Sequence, residues 1–164
     1  MNESGAVFSQ CRKWRYALWR VWGDPRRMCL FVGLNPSAAD EMNDDATIRR
    51  CIGFARKWGF GGVYIVNLFA WRARYPRDLK MVSDPVGGEN DENIKKYVER
   101  SESIVLAWGV HGDYRGRAIE VLESGALGSE LYCLGMTKGG HPCHPLYLPV
   151  STEMERYLQT CSSG

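Results

Sequence analysis

The sequence lacks the usual features of a secreted or membrane protein. It has no cysteine pair at CxxC spacing, no N-terminal signal peptide and no apolar run long enough to cross a membrane. We therefore expect a protein of the reducing cytoplasm with no membrane partner. His141, Cys143 and His144 have no second ligand pair at zinc spacing, and the six cysteines are too scattered for an iron–sulfur cluster. We expect no metal and no other cofactor.

Several common catalytic motifs are also absent. The chain has no GxSxG elbow, no Walker loop, no GxGxxG fingerprint and no HExxH helix. Nucleotide hydrolysis and hydride transfer of the usual kinds are therefore disfavoured. A net charge of +2 and a pI near 8.2 permit a nucleic acid partner without requiring one.

What the sequence does contain is an alternation of apolar runs and helical patterns. With 164 residues, 45% of them hydrophobic, the chain can form one domain with a buried core. The patterns predict buried strands at 28–34, 63–69, 103–108 and 130–134, and helices at 46–58, 89–100, 114–123 and 153–158. This order predicts an α/β fold in which helix layers enclose a central four-stranded parallel sheet.

The N-terminal segment predicts one further strand. Apolar and polar residues alternate over 13–22, and Gly23-Asp24-Pro25 predicts a turn that makes this strand an edge hairpin with strand 28–34. Residues 1–11 are predicted to be a loose terminus. Arginines interleave with aromatic residues over 12–27, a pattern that fits either a solvated strand or a phosphate-binding face.

The turn after strand 28–34 is the first candidate for chemistry. Asn35 and Pro36 follow the strand directly, and ligands of open α/β sheets bind at the carboxyl ends of the strands. Pro36 fixes the backbone and so holds the Asn35 carboxamide in place. Asn67 ends the second strand, and two His-Pro pairs follow the fourth. These groups suit a reaction in which an amide positions water and a histidine stabilises an anion.

Plainer roles for the same residues stay open. Asn35 is equally suited to capping its own turn, and Asn67 to satisfying a backbone group in the core. The acidic loop at 40–45 fits a solvated helix start that complements the helix dipole. Alternatively, Asp44 or Asp45 reaches the pocket as an extra base or a polar contact.

The motifs resemble those of the uracil-DNA glycosylase superfamily. GLNPS resembles its first motif, which is GQDPY in the uracil enzymes and GINPG in the mismatch-specific branch. NLF, VLAWG and HPCHPLY follow in the family's order. More closely, GLNPS…NLFAWRA…AWG…TKGGHPCHPLYLP resembles a bacterial and phage family catalogued only as a domain of unknown function, over residues 15–150.

The glycosylase resemblance implies a uracil-DNA-glycosylase-like fold and a set of roles. Asn35 would orient the attacking water, and His144, in preference to His141, would bond the oxygen of the departing base. Asn67 would read the Watson–Crick edge of a flipped-out base. The implied base pocket further includes Gly33, Leu34, Pro36, Ser37 and Asp44.

The same resemblance implies DNA as the partner of a monomeric, monofunctional glycosylase. Leu146 and Tyr147 would wedge into the duplex, while Trp71, Arg72 and Arg74 would hold phosphates and unstacked bases. The segment 38–40 replaces the bulky aromatic that excludes thymine in the uracil enzymes, which implies a roomier pocket. A hypermodified or glucosylated cytosine of phage DNA, and a role in phage defence, fit that pocket. The alternative is a non-catalytic base- or nucleotide-binding module of the same fold.

Overall fold

The computed structural model describes residues 2–159 and contains one mixed sheet. Its strands are β1 (Glu3–Phe8), β2 (Arg15–Val21), β3 (Met28–Gly33), β4 (Gly62–Asn67), β5 (Ser103–Leu106), β6 (Leu131–Cys133) and β7 (Glu155–Arg156). Its helices are α1 (Ala46–Lys57), α2 (Asn90–Glu99) and α3 (Arg117–Glu123), with 3-10 helices at Pro76–Met81 and Gly109–Gly116. No helix in this range is both long and apolar enough for a membrane span.

The sheet has seven strands in the order β1-β2-β4-β3-β5-β6-β7. The four central neighbours, β4, β3, β5 and β6, run parallel, whereas β2 is antiparallel to β4 and β7 is antiparallel to β6. The protein is thus a mixed α/β protein whose sheet is parallel in its centre. The predicted sheet of four strands and one edge strand was too small. The three apolar residues of β1 (ESGAVF) are too few to stand out near the chain terminus, and β7 consists of two charged residues.

The predicted edge hairpin is wrong. Strand β2 does not pair with β3; it lies between β1 and β4, with Leu18 opposite Ile65. Ala17 and Leu18, on opposite faces of β2, are both fully buried, as an interior strand requires. Residues 3–8, predicted to be loose, form the edge strand of the sheet instead.

The helices agree with the pattern better than the chain ends do. Helix α1 begins at the end of the acidic loop, as predicted, and Asp45 caps it: Asp45 Oδ1 accepts the Ile48 N–H at 2.9 Å. Helix α3 begins only at Arg117, since Arg115 and Gly116 have positive φ angles of 54° and 65°. The helix predicted at 153–158 is wrong: two residues there add the short strand β7 to the sheet.

Successive residues of each central strand pack on opposite faces of the sheet, as strand geometry requires. Phe31 packs with Phe54 of α1 on one face, and Leu30 packs with Ile94 of α2 and Val121 of α3 on the other. Helices therefore cover both faces, while the carboxyl ends of β3, β4 and β5 lie together at one rim.

Asn90 ties α2 to the end of β4. Its side chain is fully buried, and Nδ2 donates to the carbonyl oxygens of Asn67 and Leu68 at 2.9 and 3.0 Å. We expect Asn90→Ala to lower the free energy of unfolding by about 2 kcal/mol, because a buried carbonyl loses its donor. Urea unfolding measures this loss. Asn93→Ala is the matched control, since its bond to the Glu89 carbonyl is solvent-exposed and its removal should change little. Equal stability of the two variants would contradict the assignment.

Candidate active site at the sheet rim

Two connected spaces lie at the carboxyl ends of the central strands. The inner pocket has a volume of about 50 Å³, and its polar lining includes Arg15, Asn35, Ser37, Asp45, Asn67 and His144. The outer cleft has a volume of about 450 Å³ and is lined by Arg74, Trp108, His111, Leu146 and Tyr147 in addition to residues of the inner pocket. Asn35, Asp45 and His144 line both spaces, so they stand where the pocket opens into the cleft.

Asn35 is held in one orientation. Its Nδ2 donates to the carbonyl oxygens of Pro36, at 3.0 Å, and of Ala73, at 2.8 Å. Because both partners are carbonyl oxygens, which can only accept, the atom that bonds them must be the amide nitrogen, and the atom on the other side of the carboxamide is the oxygen. Within residues 2–159, Oδ1 has no hydrogen-bond partner. Asn35 does not cap the following helix, because Asp45 does so. Asn35 Oδ1 is therefore available to a ligand.

Asn67 lies on the floor of the inner pocket. Its neighbour across the parallel pair is Gly33, and a Cβ at Gly33 would lie 2.7 Å from Asn67 Oδ1, so the glycine leaves room for the carboxamide. Asn67 is 3% exposed, and its Nδ2 has no hydrogen-bond partner within the part of the chain that the structure describes. Buried donors rarely stay unpaired, which points to a ligand as the missing partner.

His144 is a neutral donor at the mouth of the pocket. Its Nδ1 accepts the Leu146 N–H at 3.2 Å, so the proton of the neutral ring is on Nε2. Burial lowers the pKa of His144 below its ordinary value, and the Asp45 carboxylate opposes that shift. Gly109 makes the position possible: its φ is 73°, and a Cβ there would come within 3.3 Å of His144 Cβ. His141 lines neither space.

The lowered pKa of His144 makes stability depend on pH. The unfolded chain binds the proton at a higher pH than the folded protein, so the free energy of unfolding should fall as the pH drops below about 6.5. Urea unfolding of wild type and His144→Gln at several pH values measures this dependence. We expect a shallower dependence in the variant. Identical pH profiles of wild type and His144→Gln would contradict the inference.

Asp45, not Asp44, is the acidic residue of the pocket. The Asp44 carboxylate accepts from Arg20 Nε at 2.9 Å and lines a separate surface recess together with Arg20 and Ile52. Asp45 lines both spaces, and its two oxygens accept the N–H groups of Ile48 and Ala39. From the sequence, either Asp44 or Asp45 could reach the pocket, and Asp44 was included among the predicted base-pocket residues. In the structure Asp45 lines the pocket and Asp44 does not.

Arg15 is a member of the inner pocket that the sequence interpretation missed as a site residue. It is 2% exposed, its Nη1 donates to the Ala39 carbonyl at 3.0 Å, and its Nε has no partner within residues 2–159. Burial lowers the pKa of the guanidinium to about 10, and Asp45 opposes the shift, so the group is charged at neutral pH. In the sequence it is one of six basic residues over 12–27, and no local pattern singles it out.

The residues predicted to contact DNA separate into two groups. Arg74, Leu146 and Tyr147 line the outer cleft, and Tyr147 is 98% exposed with a φ of 70°. Trp71 instead packs edge to face on Trp14, with ring centroids 5.0 Å apart. Arg72 Nε donates to the Ser37 carbonyl at 3.3 Å, which supports the first loop from outside. Neither Trp71 nor Arg72 lines the pocket or the cleft.

The remaining predicted pocket residues lie together. Gly33, Leu34, Pro36 and Ser37 all line the inner pocket beside Asn35. Parallel strands place the loops that follow them at a single rim, which is why residues far apart in the chain meet there.

These features define a mixed α/β protein with a polar pocket at the carboxyl ends of its parallel strands. A family model described as "Protein of unknown function (DUF1643)" matches residues 15–146, and the chain belongs to that family. The match begins at Arg15 and ends at Leu146, so it spans the lining of the inner pocket. The resemblance to a domain family of unknown function is thereby confirmed. No curated protein and no solved structure matches the chain.

Proposed function

We propose that the protein is a DNA glycosylase that hydrolyses the N-glycosidic bond of a flipped-out, modified or damaged pyrimidine and leaves an abasic site. The observation that carries the proposal is the unpaired, buried Nδ2 of Asn67 on the floor of a pocket whose mouth holds Asn35 and His144. A planar polar base supplies the acceptor that this amide lacks. The resemblance of the motifs and their order to those of the uracil-DNA glycosylase superfamily supports the same reaction.

Asn35 orients the water. An amide is too weakly basic to deprotonate water, but Oδ1 can accept one of its hydrogens and direct its lone pair at the sugar. The bond between C1′ and the base lengthens first, and the sugar gains oxocarbenium character. Water oxygen then bonds to C1′, while the electron pair of the broken bond leaves with the base. The Asp45 carboxylate lines both spaces and supplies negative charge beside the cationic sugar.

His144 and Asn67 act on the base. His144 donates its Nε2–H to a base oxygen as negative charge develops there, an interaction that is strongest in the transition state. A neutral ring serves this role because its donor is preorganised by the bond from the Leu146 N–H to Nδ1. Asn67 Nδ2 donates to an acceptor on the base and holds the ring in the attack geometry.

The outer cleft supports a large base and a DNA partner. Its volume of about 450 Å³ gives room for a substituent beyond the pyrimidine ring, which agrees with small residues at 38 and 39 after the first motif. We propose a hypermodified or glucosylated phage cytosine as substrate, and phage defence by a cytoplasmic monomer as the role. Exposed Tyr147 fills the space that the flipped base leaves, and Arg74 holds a phosphate.

A substrate panel tests the proposal. Duplexes containing uracil, a thymine mismatch, hydroxymethylcytosine or glucosylated hydroxymethylcytosine are incubated with the protein and treated with alkali, which cleaves abasic sites. We expect cleavage of a bulky modified cytosine that is lost in Asn35→Ala. Efficient removal of plain uracil would contradict the large-base substrate. DNA retained but uncut across the panel would favour the non-catalytic binding module.

A further inference from the structure

Three arginines are buried among residues 2–159, and one of them differs from the other two. Arg20 pairs with Asp44, and Arg117 pairs with Asp91 and Glu120. Arg15 is as buried as Arg117, yet it forms no ion pair with any residue in the range 2–159. Within this range, the side chain of Arg15 donates one hydrogen bond, to the Ala39 carbonyl, and its Nε stays unpaired.

An unpaired buried cation is costly, so its retention calls for a partner. Isolated charges in a protein interior are normally matched by a counter-charge or by several hydrogen bonds. The carboxylate that acts on Arg15 electrostatically is that of Asp45, whose two oxygens already accept backbone N–H groups. Arg15 lines the inner pocket together with Asn67, whose Nδ2 is also unpaired. Two residues that line the same cavity therefore each carry a buried donor without a partner in the part of the chain that the structure describes.

We propose that Arg15 makes the inner pocket selective for an anionic ring, so that the ligand it binds most tightly is an ionised pyrimidine. Resting on the proposed glycosylase activity, the same charge stabilises the leaving base. When the C1′–N bond breaks, its electron pair stays on the base, and the guanidinium lies beside the negative charge that results. The hydroxyl of water goes to C1′, and the proton that water releases later neutralises the base.

A positive charge beside the base is most useful when the base is a poor leaving group. A neutral histidine donor shares negative charge only through a hydrogen bond, whereas the buried guanidinium of Arg15 adds a full positive charge. Cytosine derivatives form less stable anions than uracil does, so their release gains more from such a charge. Arg15 thus extends the proposed chemistry to cytosine-type bases.

Equilibrium binding of free bases tests the proposal without requiring turnover. The probes are 5-nitrouracil, which is ionised at neutral pH, and thymine, which is neutral and carries its substituent at the same ring position. Titration calorimetry should show that wild type prefers 5-nitrouracil and that Arg15→Met loses about tenfold or more of this preference. Arg20→Met is the matched control, because Arg20 lies on the same strand, is ion-paired and does not line the pocket. It should keep the wild-type preference.

Two further comparisons keep the test decisive. Equal affinity of wild type for the two probes would overturn the proposal whatever the variants do, as would a full preference in folded Arg15→Met. If Arg15→Met does not fold, Arg15→Lys replaces it: this variant keeps the charge and should keep the preference within a few-fold, and loss of the preference would overturn the proposal. A preference for the anion without base excision would support the anion-binding site and contradict the glycosylase activity. Base excision without a preference for the anion would support the glycosylase activity and contradict the anion-binding site.

Discussion

Asn35→Ala should slow base release by a factor of about 10²–10³ and leave DNA affinity nearly unchanged. The expected loss is large because Oδ1 is the atom available to hold the attacking water, and it is fixed by the two bonds that Nδ2 makes. We expect affinity to be retained because, in the proposed complex, Asn67, His144 and the outer cleft would still contact the base and the strand. Single-turnover base release and fluorescence anisotropy of labelled duplex measure the two quantities separately.

Asn35→Asp gives a sharper form of the same test. An aspartate would place a carboxylate oxygen against the carbonyl oxygens of Pro36 and Ala73, where Nδ2 now donates. We therefore expect this variant also to be impaired, although the uracil enzymes carry an aspartate in the motif that GLNPS resembles. Asn43→Ala is the matched control, because its side chain bonds Asp40 outside the pocket and its loss should not affect base release. A wild-type rate in Asn35→Ala would show that water is positioned elsewhere.

Gly33→Ala should impair base recognition as strongly as removal of the Asn67 side chain. The added Cβ would lie 2.7 Å from Asn67 Oδ1, so the carboxamide must leave its place on the pocket floor. We expect a decrease in kcat/KM of about tenfold to a hundredfold for Gly33→Ala and for Asn67→Ala, the scale of a lost buried hydrogen bond to a polar ligand. Steady-state kinetics on the best substrate of the panel measures it.

The double variant decides whether the two residues act together. If Gly33→Ala acts by displacing Asn67, adding it to Asn67→Ala should cost little more, and the two effects will be far from additive. Gly53→Ala is the matched control: it lies in α1, a Cβ there meets nothing within 4 Å, and it should leave kinetics unchanged. Additive losses would contradict the role given to Gly33.

The sequence predicts the rim better than it predicts the edges of the sheet. Asn67 ends one strand, and Asn35 and His144 come after two others; their meeting at one rim follows from parallel pairing alone. Strand β2 was misplaced because alternation predicts a strand without naming its partner, and the short turn before β3 favoured the wrong neighbour. The two-residue strand β7 has too little pattern to be recognised.

Side-chain roles that depend on exact placement were beyond the sequence. Asp44 and Asp45 are adjacent acidic residues, and only the start of α1 decides that Asp45 faces the pocket while Asp44 pairs with Arg20. Arg15 reads as one more surface cation until β2 is known to be interior. Trp71 is a residue type that often stacks on bases in DNA-binding proteins, yet its ring packs against the ring of Trp14.

Mass spectrometry of the released product tests the central claim most directly. Glucosylated hydroxymethylcytosine DNA is incubated with the protein in ¹⁸O-labelled water, and the small-molecule and DNA fractions are analysed separately. The abasic site is reduced at once with borohydride. Hydrolysis at C1′ predicts a free base without label and a reduced abasic site that carries one ¹⁸O. Release of a nucleoside or nucleotide, or a base whose loss leaves no labelled abasic site, would contradict the proposed reaction.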